Sequence, residues 1–484
     1  LRAIKGFIMR KITRRKILQS TAAGIGFIAT GHCSPGQFDG FVRHGLPLPI
    51  SRSNPAIRHL NSNCVECGRC RDFCHEVTTV FGYPVPDGED ECIHCGQCTL
   101  FCMTEALTEQ YHYPIVSKAI TDSKKIVVAS TAPSIRVSLG EMFQQPPGTN
   151  VEGKIVAALK KLGVDYVLDT TFAADLTIME EASELLKRLE LKNEKLPLPM
   201  LTSCCPAWVR FARLFYPQLL PHLSTAKSPV LMQGAVVKTY FAQKKELEPS
   251  TIFHVVLTPC TAKKSEILLS GMNASGVFHH VPRMRDVDVA LTTRELAYLL
   301  KESDIDFVSL SDVAYDSVMG TGSGAGMIFG NTGGVMESIL RTAFQLLNNK
   351  KPPQDFYELK SVRGFKNIRE ATIDFGCRQL NVAVVHGIGY VRSFLESVQK
   401  GVKHYDFIEV MACSGGCIGG GGQPYNNSME FDQLRRLRIN ALYRRDSESK
   451  IRLSNENHDI ETIYADFLKQ PLSTLSQQLL HCNR

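Results

Sequence analysis

From Lys124 onward, short runs of β-branched and other apolar residues alternate with stretches whose apolar positions recur at helical spacing. The runs Ile126 to Ala129, Tyr166 to Leu168, Ile252 to Leu257, Val289 to Leu291, Val382 to Val385 and Phe407 to Val410 predict strands. Glu152 to Leu162, Ala174 to Leu189, Val209 to Tyr216 and Met336 to Leu347 predict helices. Such alternation predicts an α/β fold built on parallel sheets, whose sites form just past the carboxyl ends of the strands.

The chain has 484 residues, of which 44% are apolar, enough for several domains with buried cores. That excludes wholesale disorder and a repeat rod. Its formal charge of +7 is matched by seven positive residues and no acid within residues 1–16, so the remainder is neutral. A nucleic-acid binder spreads its basic excess over a domain face; here the excess is an address. Thr13, Arg14, Arg15, Lys16, Ile17 and Leu18, followed by a Gly/Ala-rich run to Thr30, resemble a twin-arginine export signal, assigned to residues 1–35, with Met9 a candidate start. The apolar run is about half the ~20 residues a spanning helix needs. The expectation is therefore a periplasmic protein exported already folded, with no stable membrane span. Thr30, Gly31 and His32 before Cys33 make a poor lipidation site.

Thirteen of the 16 cysteines fall in short motifs, which reads as metal ligation and not as a disulfide framework. Cys64, Cys67, Cys70 and Cys74 have the spacing Cys-x2-Cys-x2-Cys-x3-Cys, and Cys92, Cys95, Cys98 and Cys102 repeat it 28 residues later. This is the bacterial ferredoxin run, in which the fourth cysteine serves the other cluster. One 4Fe-4S cluster is expected on Cys64, Cys67, Cys70 and Cys102, the second on Cys92, Cys95, Cys98 and Cys74. The usual proline after each run is replaced by His75 and Met103. Structural zinc is the competing reading, but zinc takes two separated pairs rather than two complete runs. His94 is assigned no role.

Three further motifs follow predicted strands: Thr202-Ser203-Cys204-Cys205-Pro206-Ala207-Trp208, Thr258-Pro259-Cys260-Thr261-Ala262-Lys263-Lys264-Ser265-Glu266, and Met411-Ala412-Cys413-Ser414-Gly415-Gly416-Cys417 with four glycines after Ile418. Five cysteines in three strand-terminal loops are hard to treat as packing. Four can close a thiolate cage and one is left over. The glycines from Gly415 to Gly422 suit close approach to a bulky cofactor.

These motifs resemble the three signatures of the iron-only (FeFe) hydrogenases, from about Asn61 to the carboxyl end. The resemblance implies a two-lobed parallel-sheet catalytic domain at 124–428, an N-terminal α+β bacterial ferredoxin-like domain at 55–118, and a small-subunit-like helical segment at 429–484. It implies that Cys205, Cys260, Cys413 and Cys417 hold a 4Fe-4S cube. Cys417 would bridge to a two-iron subcluster carrying carbon monoxide, cyanide and a dithiolate with a bridging amine, the whole being the H-cluster. Adjacent residues of an extended strand end point apart, so Cys204 can face the pocket while Cys205 binds. A thiol with an ordinary pKa of about 8.5 exchanges protons near neutrality, and the resemblance makes Cys204 the proton relay. Glu181 and Glu184 share one helix face and, with Ser224, match the family's proton path; the plainer alternative is a solvated acidic face. Lys263 is expected to donate to an anionic cyanide, with Glu266 anchoring its loop. Ala132, Pro133 and Ser134 resemble the segment against the second cyanide, and Ser228, Pro229, Phe329 and Met411 match other lining positions.

Thr258 and Ser414 depart from the methionine and proline common in the family. The segment from Met429 contains Arg435, Arg436, Arg438, Arg444 and Arg445, then Tyr464, Phe467 and Leu468 at helical spacing, and is expected to form an amphipathic helix pair with a solvated basic face. Cys377 and Cys482 match no ligand position. The expected reaction is 2H+ + 2e− = H2, with a ferredoxin or c-type cytochrome as redox carrier, maturation proteins as further partners and no nucleic acid. A slow hydrogen sensor, or a non-catalytic iron-sulfur carrier or assembly protein of the same family, is the alternative.

Overall fold

The computed structural model describes residues 46–191, 196–401, 403–425 and 429–482. The arginine pair Arg14 and Arg15, and Cys33, lie outside the described residues. A small amino-terminal region is closed by β1 (Ile57–His59) paired antiparallel with β2 (Leu107–Glu109), and both cysteine runs lie between these strands in the chain.

Two four-stranded sheets follow. The first comprises β3 (Ile126–Thr131), β4 (Tyr166–Asp169), β6 (Ile252–Thr258) and β7 (Val289–Thr292), in the order β4-β3-β6-β7 and parallel throughout. The second comprises β5 (Met200–Leu201), β8 (Ile368–Asp374), β9 (Gln379–His386) and β10 (Phe407–Met411), in the order β5-β10-β9-β8. There β10 runs parallel to both β5 and β9, and β8 closes the edge antiparallel to β9. Every residue of β6, β7 and β10 is buried, as expected of parallel strands covered on both faces.

The six predicted strands form, and each is longer than its apolar run. Polar residues at their carboxyl ends, among them Ser130, Thr131, Asp169, Thr258, Thr292 and His386, continue the ladders. The predictions missed β8, whose buried positions alternate with charged and exposed ones, and the two-residue β5. Helix α1 (Glu152–Leu162) has the predicted bounds, whereas α2 (Thr170–Leu191) starts four residues before the predicted Ala174. Helix α3 (Pro206–Phe215) starts at the proline of the first strand-terminal motif, where a missing N–H costs nothing. Further helices are α4 (Pro229–Val236), α5 (Thr293–Glu302), α6 (Gly334–Asn348) and α7 (Ile388–Gln399). Helix α5 begins with a reciprocal Thr292/Glu295 capping box.

The carboxyl-terminal segment departs from expectation. It forms three helices, α8 (Phe431–Glu448), α9 (His458–Ile463) and α10 (Thr474–Leu480), and its basic residues are not all solvated. Arg438 is buried, donating to Glu141 at 2.7 and 2.6 Å, and Arg435 is buried against Asp432 at 3.0 Å. The Glu141 partner of Arg438 is 297 residues away and invisible in a one-dimensional pattern, while Asp432 stands three residues before Arg435 on the same helix. Asp446 on α8 accepts from Arg341 of α6 at 3.0 and 2.8 Å and from Arg452 at 2.6 Å, and Arg341 also pairs with Glu337. All of Arg341, Glu337 and Asp446 are fully buried. Removing one partner of such a pair leaves an uncompensated buried charge, which costs about 3–5 kcal/mol. Asp446→Ala is accordingly expected to lower stability by about 3 kcal/mol, read as an earlier midpoint in denaturant unfolding; an unchanged midpoint contradicts the role given to this cluster.

Candidate functional site

The carboxyl ends of the two sheets converge on one cavity. The loop after β3 contributes Ala132, Pro133 and Ser134; α2 contributes Thr170 and Ala174; the loop after β5 contributes Cys204, Cys205 and Pro206; and α4 contributes Pro229 and Val230. From β6 and beyond come Thr258, Pro259, Cys260 and Lys263, and from β10 and its loop come Met411, Cys413, Gly416, Cys417 and Gly420, with Phe329 and Gly330 between. Among these lining residues Lys263 alone carries a fixed charge.

Cys205, Cys260, Cys413 and Cys417 thus share one wall system with Cys204. Burial pushes every one of these thiols up, and each of the four is pushed further by at least one neighbour; Cys260 reaches about 12. Cys204 is raised well above the ordinary thiol value by burial first, then by the nearby Glu181 and by Cys417 and Cys205. Four thiols in an apolar pocket cannot ionise against one another without added positive charge. That donor chemistry fits an iron-sulfur group, because thiolate ligation supplies soft anions to a polycationic centre. Among the described residues no three His, Cys, Asp or Glu side chains are grouped to hold a single metal ion.

The loops are fixed from behind. The chain's one tryptophan, Trp208, is fully buried and donates from Nε1 to the Thr202 carbonyl at 3.0 Å, while Thr202 Oγ1 accepts from Val410 N–H of β10 at 3.0 Å. The cysteine pair is therefore tied to the strand that leads to Cys413. Lys263 Nζ donates to Glu266 Oε2 at 2.7 Å and to the Cys204 carbonyl at 3.2 Å, and Ser228 Oγ donates to the same Glu266 oxygen at 3.0 Å. Burial opposes the lysine's charge, but Glu266 and the Cys260 and Cys204 thiols outweigh it and hold its pKa above the usual lysine value. Ser228 and Glu266 meet Lys263 as a hydrogen-bonded group beside the cavity, the Ser228 hydroxyl being engaged with Glu266. Thr258 is in the wall; Ser414 is not.

The third-motif glycines make close approaches to protein as well as to the cavity. A Cβ on Gly421 would lie 2.3 Å from the Cys95 carbonyl oxygen, and one on Gly416, at φ +90°, 2.7 Å from Thr332 N. Backbone therefore packs on backbone where the amino-terminal region meets the catalytic loops. Gln97 Nε2 donates to Cys413 Sγ at 3.3 Å and to the Gly419 carbonyl at 2.9 Å, Thr261 Oγ1 donates to the His94 carbonyl at 2.7 Å, and Arg294 reaches Glu109 and Thr99. None of these bridges was legible in the sequence, since each pairs residues more than a hundred positions apart.

The two cysteine runs share one backbone. Glu66 and His94 both have positive φ, as do Gly68 and Gly96, at the same places 28 residues apart. In each loop the residue two after the first cysteine donates its N–H back to that sulfur, Glu66 to Cys64 and His94 to Cys92, both at 3.4 Å. A second cavity is lined by Cys74 of the first run together with Cys92, Cys95 and Cys98 of the second. Cys70 is raised to about 11, by burial first and also by Cys102 and Cys67. Leu48 N–H donates to Cys70 Sγ at 3.2 Å and Leu107 N–H to Cys102 Sγ at 3.3 Å.

Glu181 and Glu184 of α2 are both buried, so the solvated-face alternative fails. Glu184 Oε2 accepts from Ser224 Oγ at 2.9 Å and Thr225 Oγ1 at 3.1 Å, while its Oε1 takes Arg188 Nη2 at 2.6 Å and Nε at 3.0 Å. Thr225 and Arg188 went unnoticed in the sequence, although Arg188 stands four residues after Glu184 on the same helix, a readable ion-pair spacing.

Comparison with known proteins places this geometry. The profile described as "Iron only hydrogenase large subunit, C-terminal domain" matches residues 125–421, and that described as "Iron hydrogenase small subunit" matches residues 432–483. The chain is 40% identical over 437 residues to "Iron hydrogenase 1" of Clostridium pasteurianum, covering 87% of this chain and 74% of that one. It is 43% identical over 392 residues to the "Periplasmic [Fe] hydrogenase large subunit" of Nitratidesulfovibrio vulgaris, covering 79% and 90%. A solved structure of a variant of the [FeFe]-hydrogenase HydA1 from Chlamydomonas reinhardtii superposes with a TM-score of 0.68 at 36% identity, covering 77% of this chain and 98% of that one.

The close packing of Gly421 on Cys95 and Gly96 yields a direct test. Gly421→Ala is expected to cost about 1–3 kcal/mol through overpacking, read as a lower thermal midpoint, and an unchanged midpoint would mean that the two regions do not pack as described.

Proposed function

The chain belongs to the iron-only hydrogenase family, and from that premise we propose that it interconverts protons, electrons and dihydrogen at an H-cluster in the cavity where the two sheets converge. One observation carries the reading: four thiols from three distant loops line a single cavity, with a fifth thiol, Cys204, beside them. When bound, the H-cluster supplies the iron at which dihydrogen is formed or split.

Cys205, Cys260, Cys413 and Cys417 would hold the cube, with Cys417 shared with the two-iron unit. Lys263 has three ammonium hydrogens, of which two are committed to Glu266 and the Cys204 carbonyl. The third is left for an anionic ligand such as cyanide. Ala132, Pro133, Ser134, Pro229, Phe329 and Met411 shape the wall and exclude water. Cys204 would hold a proton at its sulfur beside the bound group, with Glu181 facing it electrostatically and Glu184 with Ser224 continuing the path outward.

Electrons enter through the amino-terminal region, which we assign as ferredoxin-like with two 4Fe-4S clusters. The cavity shared by Cys74, Cys92, Cys95 and Cys98, and the electrostatic coupling of Cys102 to Cys70, support exchange of the fourth ligand between runs. Gln97 and the Cys95 loop abut Cys413, so the second cluster would lie next to the cube. Cys67 and Met103 are exposed at the other end, where a carrier protein, a ferredoxin or c-type cytochrome, would dock. The profile limits 125–421 and 432–483 support a catalytic domain at 124–428 and a fused small-subunit-like segment at 429–484. The periplasmic relative and the Arg14-Arg15 motif together support export by the twin-arginine route. No described helix is long and apolar enough to cross a membrane.

The test is infrared spectroscopy of the maturase-treated full chain, with hydrogen evolution from a reduced dye measured on the same sample. Metal-bound carbonyl and cyanide bands together with evolution are expected; absence of both after competent maturation overturns the proposal. Cys204→Ala should keep the bands and lose about 10²–10⁴-fold in rate, the range for removal of a positioned proton donor. An undiminished rate rejects the relay.

A further inference from the structure

The carboxyl-terminal tail ends against the outer end of the proton path. Lys227 N–H donates to the Leu480 carbonyl at 2.8 Å and Cys482 N–H to the Thr225 carbonyl at 2.9 Å, so that Ala226 and His481 face each other as antiparallel partners. This places the His481 ring beside Thr225. Its Nδ1 lies 2.8 Å from Thr225 Oγ1, the same hydroxyl that donates to Glu184 Oε2. Its Nε2 lies 3.0 Å from Glu180 Oε2. Glu180 is itself held by Tyr464 Oη at 2.6 Å and Leu472 N–H at 2.8 Å. The ring is 7% exposed and borders a surface cavity that also reaches Glu184, Lys187 and Cys482.

Hydrogen counting gives this row two arrangements. Thr225 has one hydroxyl hydrogen. If it points to an ionised Glu184, Nδ1 must donate to the hydroxyl oxygen; with Glu180 also ionised, Nε2 donates to that carboxylate and the ring is an imidazolium. If it points to a bare Nδ1, the hydroxyl oxygen is free to accept from a protonated Glu184. One concerted shift converts the first arrangement into the second: the Nδ1 proton moves to Thr225 Oγ1, and the Thr225 proton moves to Glu184 Oε2. Charge and atoms balance, because the ring loses the proton that the carboxylate gains.

We propose that His481, supplied by the fused carboxyl-terminal segment, is the positioning residue that loads protons onto Glu184 through the Thr225 hydroxyl. Water at the surface cavity recharges the ring, as hydronium or a buffer acid, and the same shift runs in reverse when dihydrogen is consumed. The inference rests on the reading of Glu184 as part of the proton path. The charged or titratable groups that face the row are Glu180, Glu184, Lys187 and Cys482, with Tyr464 bonded to Glu180 and Arg188 to Glu184. The tail is already pinned by the two backbone bonds, so an anchoring role alone does not require an ionisable ring.

The test uses the matured full chain, with rates normalised to the infrared cofactor bands. His481→Asn keeps a donor near the Nδ1 position but cannot take up and release a proton near neutrality. Hydrogen evolution is expected to fall about tenfold, short of the hundredfold or more that loss of a donor at the reacting atoms costs. Millimolar imidazole should restore it. Because the charged ring is the donor, its contribution is present at low pH and lost as pH rises. The pH profile of the variant should therefore be flatter than that of the wild type. A rate within about twofold of wild type with an unchanged pH profile overturns the inference. So does a loss that imidazole does not rescue, which would mark His481 as an anchor. Glu184→Gln is measured alongside. If it evolves hydrogen at the wild-type rate, the underlying proton path fails and the inference with it. If it collapses while His481→Asn does not, only the inference fails.

Discussion

A thiolate taken out of water is stable only beside positive charge, and the catalytic half of this protein is arranged around that constraint. Five cysteines line one apolar-walled cavity, and burial raises the pKa of all of them. The single lysine in the wall cannot supply the compensation, since it is shared with Glu266. A bound iron assembly can. The remaining features follow from keeping four sulfurs converged before anything binds: two sheets whose carboxyl ends meet, Trp208 locking the Thr202 strand end, and glycines that let the third loop lie flat on its neighbours. Preorganised ligands bind a cluster without first losing loop entropy.

The same constraint governs how charge can enter. An electron delivered alone to a buried centre leaves an uncompensated charge in a low dielectric, so a proton has to arrive with it. On the reading proposed above, separate contacts serve each. The Cys95 loop, Gln97 and Thr261 join the amino-terminal region to the Cys260 and Cys413 loops through backbone packing and direct hydrogen bonds. On another side, α2 carries Glu181 toward Cys204 and Glu184 toward Ser224 and the surface. An ion pair between Arg294 and Glu109 keeps the amino-terminal region in register with the first sheet, and its burial makes that register costly to break.

Much of this was legible in the chain because its signals are local. Strand runs, cysteine spacing and the motifs after β5, β6 and β10 are properties of a few consecutive residues, and the backbone repeats the 28-residue spacing down to the left-handed turns at Glu66 and His94. What escaped reading is set by tertiary partners. The solvent-patterned strand β8 has the alternation of an edge, not the apolar run of a parallel core strand. Arg438 read as solvated because its carboxylate, Glu141, becomes a partner only after folding, whereas Asp432 stands at a readable helical spacing from Arg435. The bond of the Ser228 hydroxyl to Glu266 joins residues 38 positions apart and has no signal in the sequence. Thr225 and His481 lie 256 residues apart and have no common motif.

Helix α2 shows where stability and function diverge. Glu180, Glu181 and Glu184 are all buried on a helix that packs against both the second sheet's core and the carboxyl-terminal segment. A sequence selected only for stability would place apolar residues there, since well-packed hydrophobic replacements of buried ion pairs are often neutral or stabilising. The neighbours instead specialise by carboxylate: Arg188 and two hydroxyls on Glu184, a histidine, a tyrosine and a serine on Glu180, and the field of Cys204 at Glu181. Besides the fixed guanidinium and the backbone N–H groups of Thr225 and Leu472, the side chains bonded to Glu184 and Glu180 are ones that can both hold and release a proton. Arg188 takes one oxygen of Glu184 and leaves the other to the hydroxyls of Ser224 and Thr225. A carboxylate held in this way keeps its position whether or not the second oxygen carries a proton, which is the property a relay requires and a structural ion pair does not.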